Sequence, residues 1–189
     1  MKSKDIKDIV RTAVLLFLIC AAAAGILAAV NSVTAPKIAE AAAAAAERSK
    51  AEVLPGAASF EELTLANGSV CWKGTSQDGS ALGYVFNTSA SSYGGKVEIM
   101  TGIDANGVVT GISLLSINDT PGLGMNAKKP EWQAQFTGTN GELTVVKGGN
   151  AGENEINAIT SATITSKAVT SCVNAAREGF NEITAKEGE

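Results

Sequence analysis

The hydrophobic pattern of this chain changes its period as it is read from the N-terminus. From Ala13 to Val30 there is no period: "AVLLFLICAAAAGILAAV" runs 18 residues without a charge, close to the roughly 20 apolar residues that cross a bilayer. A signal peptide has a shorter apolar core followed by a small-x-small site. Here Pro36 follows "VTA", where cleavage would fall, and bulky Ile19 precedes Cys20, where a lipoprotein site needs a small residue. The run therefore reads as a membrane anchor over residues 13–33, preceded by a short segment, 1–12. Alanine then dominates residues 34–54. Alanine forms helix well and buries little, and Glu40, Glu47, Arg48 and Lys50 keep the stretch solvated. It reads as a thin helical stalk that Pro55 and Gly56 stop.

Beyond the stalk, short runs rich in Val, Ile and Tyr are separated by turn residues. "SVCWKG" (69–74) and "ALGYVFNT" (81–88) flank Gln77-Asp78-Gly79, and "KVEIMTGI" (96–103) and "VVTGISLLS" (108–116) flank "DANG", whose Asn-Gly pair suits a tight hairpin. "LTVVKG" (143–148) is a further strand candidate. From Ser166 the spacing becomes three and four: Val169, Cys172, Val173, Ala176 and Phe180 mark one face of an amphipathic helix. The expected fold class is α+β, an antiparallel sheet with flanking helices over residues 55–189, preceded by one N-terminal transmembrane helix and the stalk.

Charge orients the anchor. Lys2, Lys4, Lys7 and Arg11 precede the span, which places the N-terminus on the cytoplasmic side and residues 34–189 on the other. Those outer residues carry 11 basic and 17 acidic side chains, a net charge of −6, which suits neither nucleic acid nor anionic lipid headgroups. The chain has no histidine and three cysteines. Ser-His and Cys-His catalysis are thereby excluded, no metal site is expected, and no catalytic residue is assigned. Cys71 and Cys172 read as buried small apolar residues, or as a disulfide in an oxidising compartment.

One stretch carries unusual chemistry. Between Thr160 and Ser166, five of seven positions bear hydroxyls, with Ala162 among them. They lie just before the last helix, where unpaired N–H groups and the helix dipole suit an anion such as phosphate. Thr165 or Ser166 would equally serve as an ordinary helix cap. Capping accounts for one or two of the hydroxyls and leaves the others open to either reading.

"NAITSATITSKAV" resembles the flavinylation motif of the FMN-binding domain family, Asp-x-x-Ser/Thr-Gly-Ala-Thr/Ser. On this chain Asn157 stands for the Asp, Thr160 for the Ser/Thr, Ser161 for the Gly and Ala162 for the Ala. Thr163 falls where the family carries FMN through a phosphoester. "SYGGKVEIMTGIDANGVVTGI" (92–112) and "DTPGLG" (119–124) resemble the segments that precede the motif, with Ser92 where a glycine is common and Asp119 where a glutamate is. With the single N-terminal span, the likeness covers nearly the whole chain and is strongest to the G subunits of Rnf electron-transport complexes. The C subunits of sodium-pumping NADH:quinone reductases share the topology.

The resemblance implies an electron-relay subunit with covalent FMN in an ion-translocating ferredoxin:NAD⁺ oxidoreductase, matured by a flavin transferase, docked among other membrane subunits and not turning over alone. It implies a flavin site made of Thr160, Ser161, Ala162, Thr163, Ile164 and Thr165. Turns at Tyr93-Gly94 and Thr120-Pro121-Gly122-Leu123-Gly124 would present amides to the ring, with Tyr93 or Leu123 touching it. Other outcomes are an FMN domain of a different extracytoplasmic electron-transfer system, or a flavin-free scaffold module.

Overall fold

The computed structural model of the chain describes residues 3–65 and 68–187; Lys2 of the N-terminal basic group lies outside them. The chain divides into two compact units, Met1–Ala44 and Ala45–Glu189. Over its described residues the first is helix alone. Helix α1 (Ser3–Val53) is continuous for 51 residues, roughly 76 Å at 1.5 Å per residue. It runs through Pro36, whose ring removes one backbone hydrogen bond without ending it. Among the described residues it is the one helix long and apolar enough to cross a membrane.

In the second unit, five strands form an antiparallel meander in the order of the sequence: β1 (Ser59–Thr64), β2 (Val70–Thr75), β3 (Ala81–Ser92), β4 (Gly95–Asp104) and β5 (Val109–Ser116). The β4–β5 turn forms where the Asn-Gly pair stands: Asp104 Oδ1 accepts the N–H groups of Asn106 and Val108, and Gly107 takes φ 82°. The β3–β4 turn is tighter, with Ser92 paired to Gly95 and only Tyr93 and Gly94 between them.

Because side chains alternate across a strand, the sheet has two apolar faces. Tyr84 and Phe86 of β3 and Val97, Ile99 and Ile103 of β4 meet helix α3 (Thr163–Glu187). That helix contributes Val169, Cys172, Val173, Ala176, Phe180 and Ile183, the face expected from its spacing. Val85 and Met100 point the other way and pack on Val53 and Leu54 at the end of α1. Gly102 permits that approach, since a Cβ there would run into the Val53 carbonyl. Cys71 and Cys172 are free thiols inside the first core, both pushed up to about 11, mainly by burial.

The chain then leaves the sheet through a loop and three short helical segments, Gly124–Lys128, α2 (Pro130–Gln133) and Ala134–Phe136. Strands β6 (Thr144–Val146) and β7 (Glu155–Asn157) follow as a separate parallel pair. "LTVVKG" is thus a strand, but one outside the main antiparallel sheet. From β7 the chain reaches α3 through the hydroxyl-rich stretch.

Candidate functional site

Helix α3 begins earlier than its apolar spacing suggests, at Thr163 rather than Ser166. The Ala162 carbonyl accepts the first intrahelical bond, from the Ser166 N–H at 3.0 Å, so alanine occupies the cap position. Alanine has no side-chain oxygen to offer the first-turn amides. Thr165 and Ser166, the expected caps, lie inside the first turn and are buried. Ser166 Oγ accepts the Ile159 N–H at 2.9 Å and donates to the Ala162 carbonyl at 3.0 Å. Thr165 Oγ1 donates to Asp119 Oδ2 at 2.5 Å. Neither hydroxyl caps the helix. Thr163, at the first helical position, stays half-buried at its open end.

Ser161 bends the chain into the helix with φ 62°. This is the left-handed region, costly for a residue with a Cβ and easy for glycine, which explains on backbone grounds why a glycine would serve at that position. Asn157, the residue at the motif's first position, ends β7. Its N–H donates to Gln135 Oε1 at 2.9 Å and its carbonyl accepts Trp132 Nε1 at 2.8 Å, so it ties the hydroxyl-rich stretch to the short helices.

Two other segments meet the start of α3. One is the tip of the β3–β4 hairpin at Tyr93; the other is the loop after β5, where Thr120 and Leu123 precede Gly124. Together they enclose a cavity of about 600 Å³, whose wall holds Tyr93, Asp119, Thr120, Leu123, Gly124 and residues 161–165. Its rim is apolar: Tyr93, Leu123 and Ile164 are large hydrophobic side chains left exposed there. A shallower concavity adjoins it across Leu123 and Ser161, lined also by Gly122, Thr160, Lys129 and Trp132.

Most residues singled out from the sequence are therefore brought together. Tyr93, Thr120, Leu123, Gly124 and 161–165 line the main cavity, and Thr160 and Gly122 line its neighbour. Gly94 and Pro121 line neither. The Gly94 amide, expected to face a ligand, instead donates to Asp119 Oδ1 at 2.6 Å. Trp72 packs beneath the sheet with Phe60, and Trp132 packs edge-on against Phe136 at 5.2 Å between ring centroids.

The residue whose place in the site sequence reasoning misses is Asp119. It is 4 % exposed, and its two oxygens take the Gly94 amide and the hydroxyls of Ser92 and Thr165. Burial disfavours its charged form, yet the donors at Ser92, Thr165 and Gly94 outweigh burial and hold the carboxyl below the usual aspartate range. Among the described residues no cluster of His, Cys, Asp or Glu is arranged to hold a metal.

The site's donor set suits a flavin nucleotide. The cavity lies within the size range of small-molecule sites, its rim offers aromatic and aliphatic surface to a ring system, and an uncapped helix start beside Thr163 suits a phosphate.

Comparison with known proteins agrees. The family model for the FMN-binding domain matches residues 92–178, and that for the RnfG N-terminal region matches residues 1–53. The G subunit of the Na⁺-translocating ferredoxin:NAD⁺ oxidoreductase complex of Acetobacterium woodii is 39 % identical, over 95 % of each chain. The G subunit of the proton-translocating complex of Clostridium ljungdahlii is 33 % identical over 97 % of each. The crystal structure of NqrC from Shewanella oneidensis shares the fold, with a TM-score of 0.57 at 18 % identity, covering 69 % of this chain and 71 % of that one. The chain belongs to the family of G subunits of ion-translocating oxidoreductase complexes.

Proposed function

We propose that this chain is an electron-relay subunit of a membrane-bound, ion-translocating ferredoxin:NAD⁺ oxidoreductase and carries FMN as a phosphoester on Thr163. The observation that carries this reading is the position of Thr163, at the uncapped start of α3 and in the wall of a cavity with an apolar rim. When bound, the flavin supplies the one- and two-electron chemistry of the relay.

The chain's own residues bind and orient. Thr163 Oγ1 is the attachment point: it would hold the flavin phosphate as an ester, so that the chain gains FMN less one water. The open first-turn amides would face the phosphate's negative charge. Tyr93, Leu123 and Ile164 would cover ring surface and exclude water, and the short side chain of Ala162 would leave room beside the ester. A flavin transferase performs the attachment. Residues 13–33 cross the membrane, with 1–12 cytoplasmic and 34–189 on the far side, and the other integral subunits of the complex are the partners.

The test is peptide mass spectrometry of the chain purified from its own host, with in-gel flavin fluorescence after denaturation. FMN less one water on the peptide holding Thr163, lost in Thr163→Ala, is the expected result. An unmodified chain from a host that flavinylates its other proteins sinks covalent attachment and leaves a scaffold module.

A further inference from the structure

Flavin attachment and ring binding leave one group in the cavity wall without a role, the buried carboxylate. Asp119 lines the cavity but exposes only 4 % of its surface. It takes three donors from two segments: Oδ1 accepts the Gly94 amide of the hairpin tip at 2.6 Å, and Oδ2 accepts the hydroxyl of Ser92 in the same hairpin and, at 2.5 Å, that of Thr165 in the first turn of α3. The loop closes tightly over it. A Cβ at Gly124 would lie 2.6 Å from the Asp119 Cβ and 2.7 Å from Oδ2, and one at Gly94 would lie 2.9 Å from the Asp119 Cα.

All three donors are neutral. Dipoles stabilise a carboxylate without cancelling its charge, and a charge held behind a wall that excludes water acts over a longer range than one in solvent. Reduction adds electrons to whatever flavin the cavity holds. A fixed negative charge in the wall opposes that addition.

Accepting that the cavity holds flavin, we infer that Asp119 is a positioning residue that acts electrostatically, its buried charge keeping the reduction potential of the bound flavin low while its hydrogen bonds fix the cavity wall.

The experiment uses the full chain, flavinylated in its host and purified in detergent, with the midpoint potential read by spectroelectrochemical titration. Asp119→Asn keeps the shape and removes the charge, and its potential moves positive. Asp119→Glu keeps the charge and stays near wild type. Thr165→Val removes a donor and leaves the carboxylate less screened, so its potential equals or falls below that of wild type. A clamp with no electrostatic effect would make Asp119→Asn and Thr165→Val move together.

An Asp119→Asn protein at the wild-type potential overturns the inference, and so does a positive shift shared equally with Thr165→Val. Asp119→Asn that carries no flavin while Asp119→Glu is fully loaded also overturns it, by assigning the carboxylate to flavin acquisition. If Asp119→Asn does not fold, Ser92→Ala and Thr165→Val carry the test, and a positive shift in either overturns the inference. Failure of the flavin reading is distinct, because it shows in the mass of the wild-type chain before any potential is measured.

Discussion

Gly124 stands so close to Asp119 that a single added methyl group at residue 124 would lie 2.6 Å from the Asp119 Cβ. It would lie equally close to Thr165 Oγ1. Neither neighbour is free to move, because the two are hydrogen-bonded to each other. Gly124→Ala is therefore expected to destabilise the folded unit by about 1–3 kcal/mol, the usual cost of overpacking, and to lower flavin loading by displacing the loop at Leu123. Urea unfolding and peptide mass spectrometry on the same preparation check both. Unchanged stability would mean that the loop has slack the packing does not show.

Ser161 offers the opposite case. Its φ of 62° costs a side-chain-bearing residue about 1–2 kcal/mol. Ser161→Gly removes that cost but adds freedom to the unfolded chain. The expected result is stability within about 1 kcal/mol of wild type and undiminished flavin loading, whereas Ser161→Val loses about 1–2 kcal/mol or more, since a β-branched residue fits the left-handed region worst. Thermal unfolding of the three proteins side by side decides it.

Lys50 is a buried cation whose ion-pair partner among the described residues is an exposed anion. Its ammonium lies 4.5 Å from the Trp72 ring centroid and 5.7 Å from that of Phe60, and its ion-pair partner Glu47, at 2.7 Å, is largely exposed. The aromatic rings and the packed stem hold it more than the salt bridge does. Lys50→Met is expected to cost about 1 kcal/mol, for the lost cation–π contact. Lys50→Ala is expected to cost about 2–3 kcal/mol, because the stem leaves a cavity. Glu47→Ala changes stability by less than about 1 kcal/mol. A Glu47→Ala protein less stable than Lys50→Ala would reverse this ranking.

The thiols of Cys71 and Cys172 give a pH dependence of known sign. Burial raises both to about 11, with the charge of Glu182 adding to the effect at Cys71. An unfolded thiol ionises near about 8.5. The folded state thus holds protons that the unfolded state gives up, so stability is full below about pH 8.5 and falls as pH rises toward 11. In a Cys20→Ala background, both thiols resist a maleimide at about pH 7.5 until the protein is unfolded. The unfolding midpoint drops between about pH 8 and about pH 10, by less in a Cys71→Ala, Cys172→Ala protein. Rapid labelling of the native chain would refute their burial.

Much of this architecture is legible in local pattern. The strands β2 to β5, the Asn-Gly turn and the buried face of α3 each follow from short-range spacings. Strand β1 escapes such a reading because "SFEELT" is an edge strand with both glutamates exposed and little alternation. Strand β7 is three residues long, too short for any period to register. Spacing alone sets the start of α3 too late because Thr163 and Ile164 are β-branched and favour strands on propensity.

The site divides along the same line. The threonine-rich motif and the glycine turns are visible as strings of residues, but Asp119 gains its meaning only when a hairpin tip and a helix 46 residues away close on it. Gly94 shows the reverse: an amide that looks free in a turn is taken by that same carboxylate.

The crowding around Asp119 bears on how this chain can vary. Space for a side chain at residue 124 exists only if residues 119 and 165 both give way, and a residue at 119 small enough to make that space carries no carboxylate. At residue 94 the obstacle is the backbone of Asn118 and Asp119, which no substitution at 119 removes. Residues 119, 124 and 165 are therefore not three independent choices. A lineage that gained bulk at residue 124 would give up the charge and its hydroxyl partner in the same step, so these three positions change together or stay as they are, while Gly94 is held by the main chain alone.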